Sequence, residues 1–256
     1  ALTDRAFRFR CRAWFLSSTL SVCPFCANGC EVYIDHFKGI PYRMRPAHAY
    51  GPYPSTVKRP CAGAFPGPSW ASPFPDDPRG FWICDHGRSL LQKTTGEERV
   101  LAPLIRGDDG LKPCSLREAI EKARGILQKG TRVAGILSPE ATVEENLALA
   151  HLFREVFQEG KLYLVGGNPP HSFTYSDAFL VKQDKNPNTK GAEAVARMAG
   201  AGGMEDLRRG IAEGQVSSLL VLMNDLLGKD PAFLPGIPIV LITTFRQRLM
   251  DLASVV

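Results

Sequence analysis

The sequence predicts an α/β chain in two parts: a small cysteine-bearing domain of short antiparallel strands (1–110), then a parallel-sheet α/β domain (111–256). Three observations carry this. Cysteines crowd into Cys23-Pro24-Phe25-Cys26-Ala27-Asn28-Gly29-Cys30, and another returns at Cys84. Residues 46 to 80 are rich in Pro and Gly, a composition of loops rather than packed elements. Beyond residue 110, apolar runs of strand length alternate with amphipathic segments, the pattern of a sheet covered on both faces. A chain of 256 residues with 44% hydrophobic content can build a sizeable core in one large or two small domains.

Element by element, Arg5, Arg8, Arg10 and Arg12 alternate with Phe7, Phe9 and Cys11, which reads as a strand with one charged edge. Short strands are expected at about 20–22, 31–36 and 39–45. Residues 46 to 80 read as an extended loop. Ser115 can cap a helix whose apolar positions are Leu116, Ile120, Ala123 and Leu127, ending near Gly130. Val133-Ala134-Gly135-Ile136-Leu137 suits a buried parallel strand. Thr142 with Glu145 three residues on forms a capping box that opens a helix to about Phe157. Leu162 to Val165, Ser217 to Met223 and Ile237 to Ile242 are further strands, with a helix near 204–213 among them.

The cysteine spacing carries the chemistry. A four-iron cubane presents one thiolate site at each of four corners, and a C-x2-C-x3-C loop wraps only one face. A distant cysteine must close the cage. Gly29 lets the backbone turn tightly beside it, where amide N–H groups can point at sulfur. Two other readings stand beside this one. A structural zinc site pairs two short knuckles, and only one is present here. A thioredoxin-type redox pair would open a helix with its C-P-F-C, whereas Asn28-Gly29-Cys30 stops a helix and Val32-Tyr33-Ile34 alternates like a strand. Cys11 and Cys114 read as buried or half-buried thiols without chemistry. His36, His48, His151 and His171 show no ligand spacing, and His86 stands two residues from Cys84 as a lesser ligand candidate. Gly166-Gly167-Asn168 and Ala199 to Gly203 match neither a dinucleotide fingerprint nor a P-loop and read as turns.

Charge and hydropathy narrow the classes. The net charge of +5 gathers in residues 1–110, which hold 14 Lys and Arg against 10 Asp and Glu. Nucleic acid could bind such a stripe, but no nucleic-acid module accompanies it. Basic residues also offset the negative charge of a thiolate-ligated cluster. No run of about 18 apolar residues exists to span a bilayer. Seven cysteines, an odd number clustered early, suit thiolate ligation in a reducing compartment, with the cytoplasm as the expected location. No Ser-His-Asp or Cys-His constellation can be assembled from the sequence.

Arg12-Ala13-Trp14 through Cys30, Val32-x-Ile34, Arg43-Met44-Arg45-Pro46 and Trp82-Ile83-Cys84-Asp85-His86-Gly87-Arg88 resemble the iron–sulfur segment that opens the molybdopterin oxidoreductase superfamily. More narrowly, they are similar to the 75-kDa-type iron–sulfur subunit family of NADH-quinone oxidoreductases. Asp184 to Ala192, Leu219 to Asp225 and Asp251 to Val256 also fit it. The resemblance implies a Rossmann-like α/β domain, here truncated, and a [4Fe–4S] cluster on Cys23, Cys26, Cys30 and Cys84. The usual family spacing between the third and fourth cysteines is shorter, which implies an insertion at about 50–80; Cys61 falls inside it and is the runner-up for Cys84, nearer the usual distance from Cys30 but without the aromatic before it and the Gly-Arg after it. The implied role is electron transfer in the peripheral arm of a respiratory complex, with the other subunits as partners and the cytoplasmic membrane face reached through them. Molybdopterin guanine dinucleotide is not expected: the chain is short, shows no metal-ligating Cys or Ser downstream, and has His86 where catalytic relatives commonly carry Lys. A fragment of a molybdopterin enzyme such as formate dehydrogenase and a zinc-stabilised interaction module are the alternatives. The opening Ala1-Leu2-Thr3-Asp4 and the close on Val256 read as those of an internal piece of a longer subunit, or a shortened relative.

Overall fold

A computed structural model describes residues 7–47, 82–91, 96–129, 132–157, 159–166, 174–177, 179–226, 234 and 236–256. The insertion expected at 50–80, Cys61, His48 and His171 lie outside the described residues. The chain divides into two compact units. One comprises Ala1–Gly96 with the returning segment Phe173–Lys185, the other Glu97–Ser172 with Asn186–Val256.

The first unit is built on an antiparallel sheet of β1 (Ser17–Val22), β2 (Glu31–Phe37) and β3 (Ile40–Pro46), in that order. The β2–β3 turn is tight, with Lys38 and Gly39 both at positive φ. Asp35, 1% exposed, binds the sheet from within: it accepts from Ser18 Oγ on β1 and from Arg43 and Arg45 on β3. Three strands thus converge on one buried carboxylate whose charge is matched. The alternating arginines before β1 do not form a strand where they are described. Residues 7–10 turn, with Arg10 N–H donating to Phe7 O, and Ala13–Phe15 make a single 3-10 turn. The physical reason is that Phe7 is buried under the Arg43 guanidinium, 4.5 Å from its ring. The chain then reverses instead of running on.

The second unit is a parallel sheet in the order β7-β6-β8-β9, from β6 (Val133–Leu137), β7 (Lys161–Leu164), β8 (Ser218–Leu222) and β9 (Ile239–Ile242). Its strands alternate between two cores, as period-two geometry requires of a doubly covered sheet. Ala134, Ile136, Tyr163, Leu219, Val221, Ile239 and Leu241 face one core, with Leu207, Leu249 and Met250. Val133, Leu137, Leu162, Leu220, Leu222 and Val240 face the other, with Leu127, Leu149, Phe153 and Val195. The helices are α2 (Leu116–Lys129), α3 (Val143–Val156), α4 (Thr189–Ala199) and α5 (Met204–Ala212), a four-residue turn α1 (Asp85–Arg88) belonging to the first unit.

Helix starts follow the capping signals. Ser115 N–H and Oγ both meet Glu118 at the head of α2, and Thr142 and Glu145 exchange both bonds of the capping box at α3. Two elements were not legible beforehand. A hairpin, β4 (Leu104–Gly107) with β5 (Gly110–Pro113), pairs through residues of mixed polarity, and Leu104 exchanges two bonds with Val256. Helix α4 carries Gly191 in its first turn, a position where a Cβ would strike Val143 at 2.6 Å. That close approach to α3 explains a glycine that weakens the helical signal. The architecture is mixed α/β.

Candidate metal centre

The loop between β1 and β2 holds the first three cysteines. Its ends are tied where Cys23 N–H donates to Cys30 O at 2.9 Å, the rung that continues the sheet. Gly29 at φ +63° reverses the chain between them. Cys23, Cys26 and Cys30 are all buried. Cys23 and Cys30 pack with Phe25, Val32, Met44 and Ile83 in one apolar cluster, against which Leu180 of the returning segment also lies.

Cys84 comes from 54 residues beyond Cys30 and caps α1, its sulfur accepting from Gly87 N–H at 3.4 Å. Gly87 is buried against the loop. A Cβ there would stand 2.7 Å from Ile83 Cγ1 and 3.3 Å from Cys23 Sγ, so the glycine of the Gly-Arg pair has a steric cause. His86 lies edge-on to Phe25, ring centroids 6.5 Å apart.

Electrostatics couple the four thiols. Cys23 is pushed up to about 12, chiefly by burial, against a lowering backbone bond at Phe25 and with smaller upward contributions from Cys30, Cys84 and Cys26. Burial also raises Cys30, opposed by the Asn28 amide and reinforced by Cys26 and Cys84. Such thiols hold their protons at neutral pH unless a positive centre displaces them. The donor set suits a cluster in chemistry and setting: four sulfurs, an apolar wall, and N–H donors from Asn28 Nδ2 to Cys30 Sγ (2.9 Å) and from Gly87 N to Cys84 Sγ. Among the described residues no group of three His, Cys, Asp or Glu side chains is arranged to hold a single metal ion. A cubane asks for something different, a thiolate at each of four separate corners.

Asn28, whose amide donates to Cys30 Sγ, is a candidate site residue that sequence reading did not single out. Its one mark in the sequence is its place between two ligand-spaced cysteines; its burial, at 6% exposed, comes from the fold.

The returning segment supplies the remaining wall. Ala27 N–H donates to Asp184 O at 3.0 Å. The segment is organised by Asp177, whose carboxylate accepts from the N–H groups of Val181, Leu180 and Phe179 and from Tyr175 Oη, and which these bonds hold down at about 2. Lys185, among the largest fully buried side chains, donates from Nζ to the carbonyls of Tyr175 and Lys182.

Other candidates fall elsewhere. His36 bonds Thr19 and His151 bonds Arg154. Cys11 and Cys114 each contact a backbone carbonyl, Arg12 O and Pro103 O. Gly200 ends α4 in the left-handed conformation, Gly202 bridges to β7, and Gly203 precedes α5 with Asp206 accepting its N–H. These glycines make turns. In the second unit a groove of about 910 Å³ runs past His151, Arg154, Lys161, Arg209 and Glu213, with no cysteine in its lining. No described helix is long and apolar enough to cross a membrane.

No family model matches the chain. Among curated proteins it is 31% identical over 156 residues to the NADH-quinone oxidoreductase G subunit of Streptomyces coelicolor, covering 60% of this chain and 15% of that protein. The G subunit of Mycobacterium tuberculosis is 32% identical over 161 residues (60% and 16%), and that of Escherichia coli 25% over 144 residues (56% and 13%). The chain therefore spans about 15% of the length of these curated relatives. Over some 60% of its residues, this chain is similar in sequence to the G subunits of NADH-quinone oxidoreductases.

Proposed function

We propose that the chain is an iron–sulfur electron-transfer component of a complex I-type NADH-quinone oxidoreductase, with Cys23, Cys26, Cys30 and Cys84 as ligands of a [4Fe–4S] cluster. The carrying observation is that half-buried Cys84, remote in sequence, is brought beside the buried loop cysteines: its sulfur accepts from Gly87 N–H, and a Cβ on that same glycine would stand 3.3 Å from Cys23 Sγ. A bound cluster supplies one-electron chemistry. The chain's own residues do the rest: Phe25, Ile83, Met44 and Leu180 exclude water, and Asn28 and Gly87 direct N–H groups at sulfur. The two effects oppose each other. A dry apolar wall resists the extra negative charge of the reduced state, and the N–H donors at sulfur offset it.

The α/β unit acts in this reading as a docking scaffold, with other subunits of the complex as partners at the cytoplasmic membrane face. No substrate site is assigned to this chain. No pterin is assigned either: of the glycine turns singled out in the sequence, Gly200 serves as a helix cap and Gly202 as a bridge to β7, while Gly167 and Asn168 lie outside the described residues.

Metal analysis with electron paramagnetic resonance of the anaerobically purified, dithionite-reduced protein tests the proposal. About four irons per chain and a reduced-cubane signal are expected, lost in Cys84→Ala and kept in Cys61→Ala. One zinc and no iron would overturn it in favour of a structural module, and bound pterin would favour a molybdopterin enzyme.

A further inference from the structure

The first unit presents an aromatic face that its own described residues leave open. Trp14 is 75% exposed and Phe15 53%. Their rings meet at 6.0 Å, and Phe15 meets the half-buried Phe37 of β2 at 5.7 Å, making a continuous ladder of three rings. A cation closes each end. The Arg12 guanidinium lies 5.7 Å from the Trp14 centroid and Lys38 Nζ 5.4 Å from that of Phe37. Ile40, exposed and paired with Phe37 in the β2–β3 register, extends the apolar surface. Five residues before Trp14, Phe9 stands 93% exposed under Arg8. Its φ of +65° is a conformation that non-glycine residues rarely hold.

Charge points to the occupant. Residues 7–47 contain six Arg and Lys against two acids. One of those acids, Asp35, is buried and matched to Arg43 and Arg45 inside the sheet. A second copy of this chain would bring the same excess of cations to the interface, and like charges across an interface oppose association. Single-stranded nucleic acid would need open ring faces on which to stack. Here the rings tilt on one another, at 56° and 36°, and cations cover the outer two. An apolar centre rich in aromatics with arginine at its margin is the anatomy of a protein interface.

We propose that the face formed by Arg12, Trp14, Phe15, Phe37 and Lys38 docks an acidic protein segment carrying apolar side chains. The rings take the apolar groups, and the Arg12 fork and Lys38 ammonium meet carboxylates. The inference does not depend on the cluster assignment, since none of these residues is a proposed ligand.

Fluorescence anisotropy of the full metal-loaded chain with a labelled peptide alternating Glu and Leu tests it. A Lys–Leu peptide, anionic phosphatidylglycerol vesicles and oligothymidylate serve as competitors of other chemistry, and sedimentation reports self-association. Saturable binding of the Glu–Leu peptide is expected, weakened by salt. Both Arg12→Glu/Lys38→Glu and Trp14→Ser/Phe15→Ser should weaken it at least about tenfold. Leu101→Ser, at an exposed apolar residue of the other unit, should leave it unchanged. Absence of saturable binding, equal binding of the Lys–Leu peptide, indifference to both double variants, tighter association with vesicles or oligothymidylate, or dimerisation abolished by the variants would each overturn the proposal. Circular dichroism and iron content of each variant separate loss of docking from loss of fold or metal.

Discussion

Asn28 donates to the sulfur of Cys30, a proposed cluster ligand, from inside the same loop, so its removal acts on the candidate site without touching a thiol. Asn28→Ala should lower the midpoint potential of the bound cluster, read by redox titration of its paramagnetic signal, because the more negative reduced state loses more from the missing donor. Asp35→Ala is a harsher change: Arg43 and Arg45 would lose their buried counter-ion, and denaturant unfolding should show a cost of about 3–5 kcal/mol. Glu140 gives the pH prediction. Burial, with nearby Asp225 adding to it, raises its carboxyl from 4.5 to about 7. A carboxyl raised in the folded state favours folding fully below its unfolded value, and that contribution is lost as pH rises through about 7. Glu140→Gln should therefore flatten stability across the range from about pH 4.5 to about pH 7 and add on the order of 1–3 kcal/mol above it. The sequence displays cysteine spacing plainly, whereas Asn28 and Glu140 owe their roles to burial and to neighbours that no local pattern reveals.

At the scale of elements, capping and periodicity proved legible. Thr142 and Glu145 mark the start of α3 in letters, and Val133 to Leu137 is buried along its whole length as an unbroken apolar run demands. Thr142→Ala should cost about 1 kcal/mol in chemical denaturation, the usual worth of such a cap. Gly135 sits on β6 directly beneath Phe153, and a Cβ would come within 2.5 Å of the ring. Gly135→Ala should cost about 1–3 kcal/mol through overpacking, measurable on the same unfolding curves. The elements that escaped reading share a cause. The β4–β5 hairpin is held by the chain's last residues, and α4 by close approach to α3, so both rest on contacts far away in sequence. The arginine alternation before β1 misled for the same reason: Phe7 is fixed by Arg43 on another strand.

On the scale of the molecule, the cysteine-bearing unit is discontinuous. Residues 173–185 belong with it even though β6, α3 and β7 of the other unit intervene. A fragment of residues 1–110 lacks Leu180 against the cysteine cluster and the Asp184 carbonyl under Ala27. It should hold less iron than the full chain under identical anaerobic loading and melt at a lower temperature, as calorimetry would show. Supplying residues 111–256 in trans should restore part of both.

The same discontinuity sets a clock on synthesis. A ribosome makes the loop cysteines and Cys84 early, but the wall that closes behind them emerges only after another hundred residues or so have been translated, at about 5–20 residues per second. Until then the thiols lie open to oxidants and to other metals for several seconds. On the proposed ligand set, cluster delivery is expected to be productive once Leu180 and Asp184 are in place. Slow codons placed before residue 173 should lengthen the exposed interval and raise the proportion of chains that mature without iron.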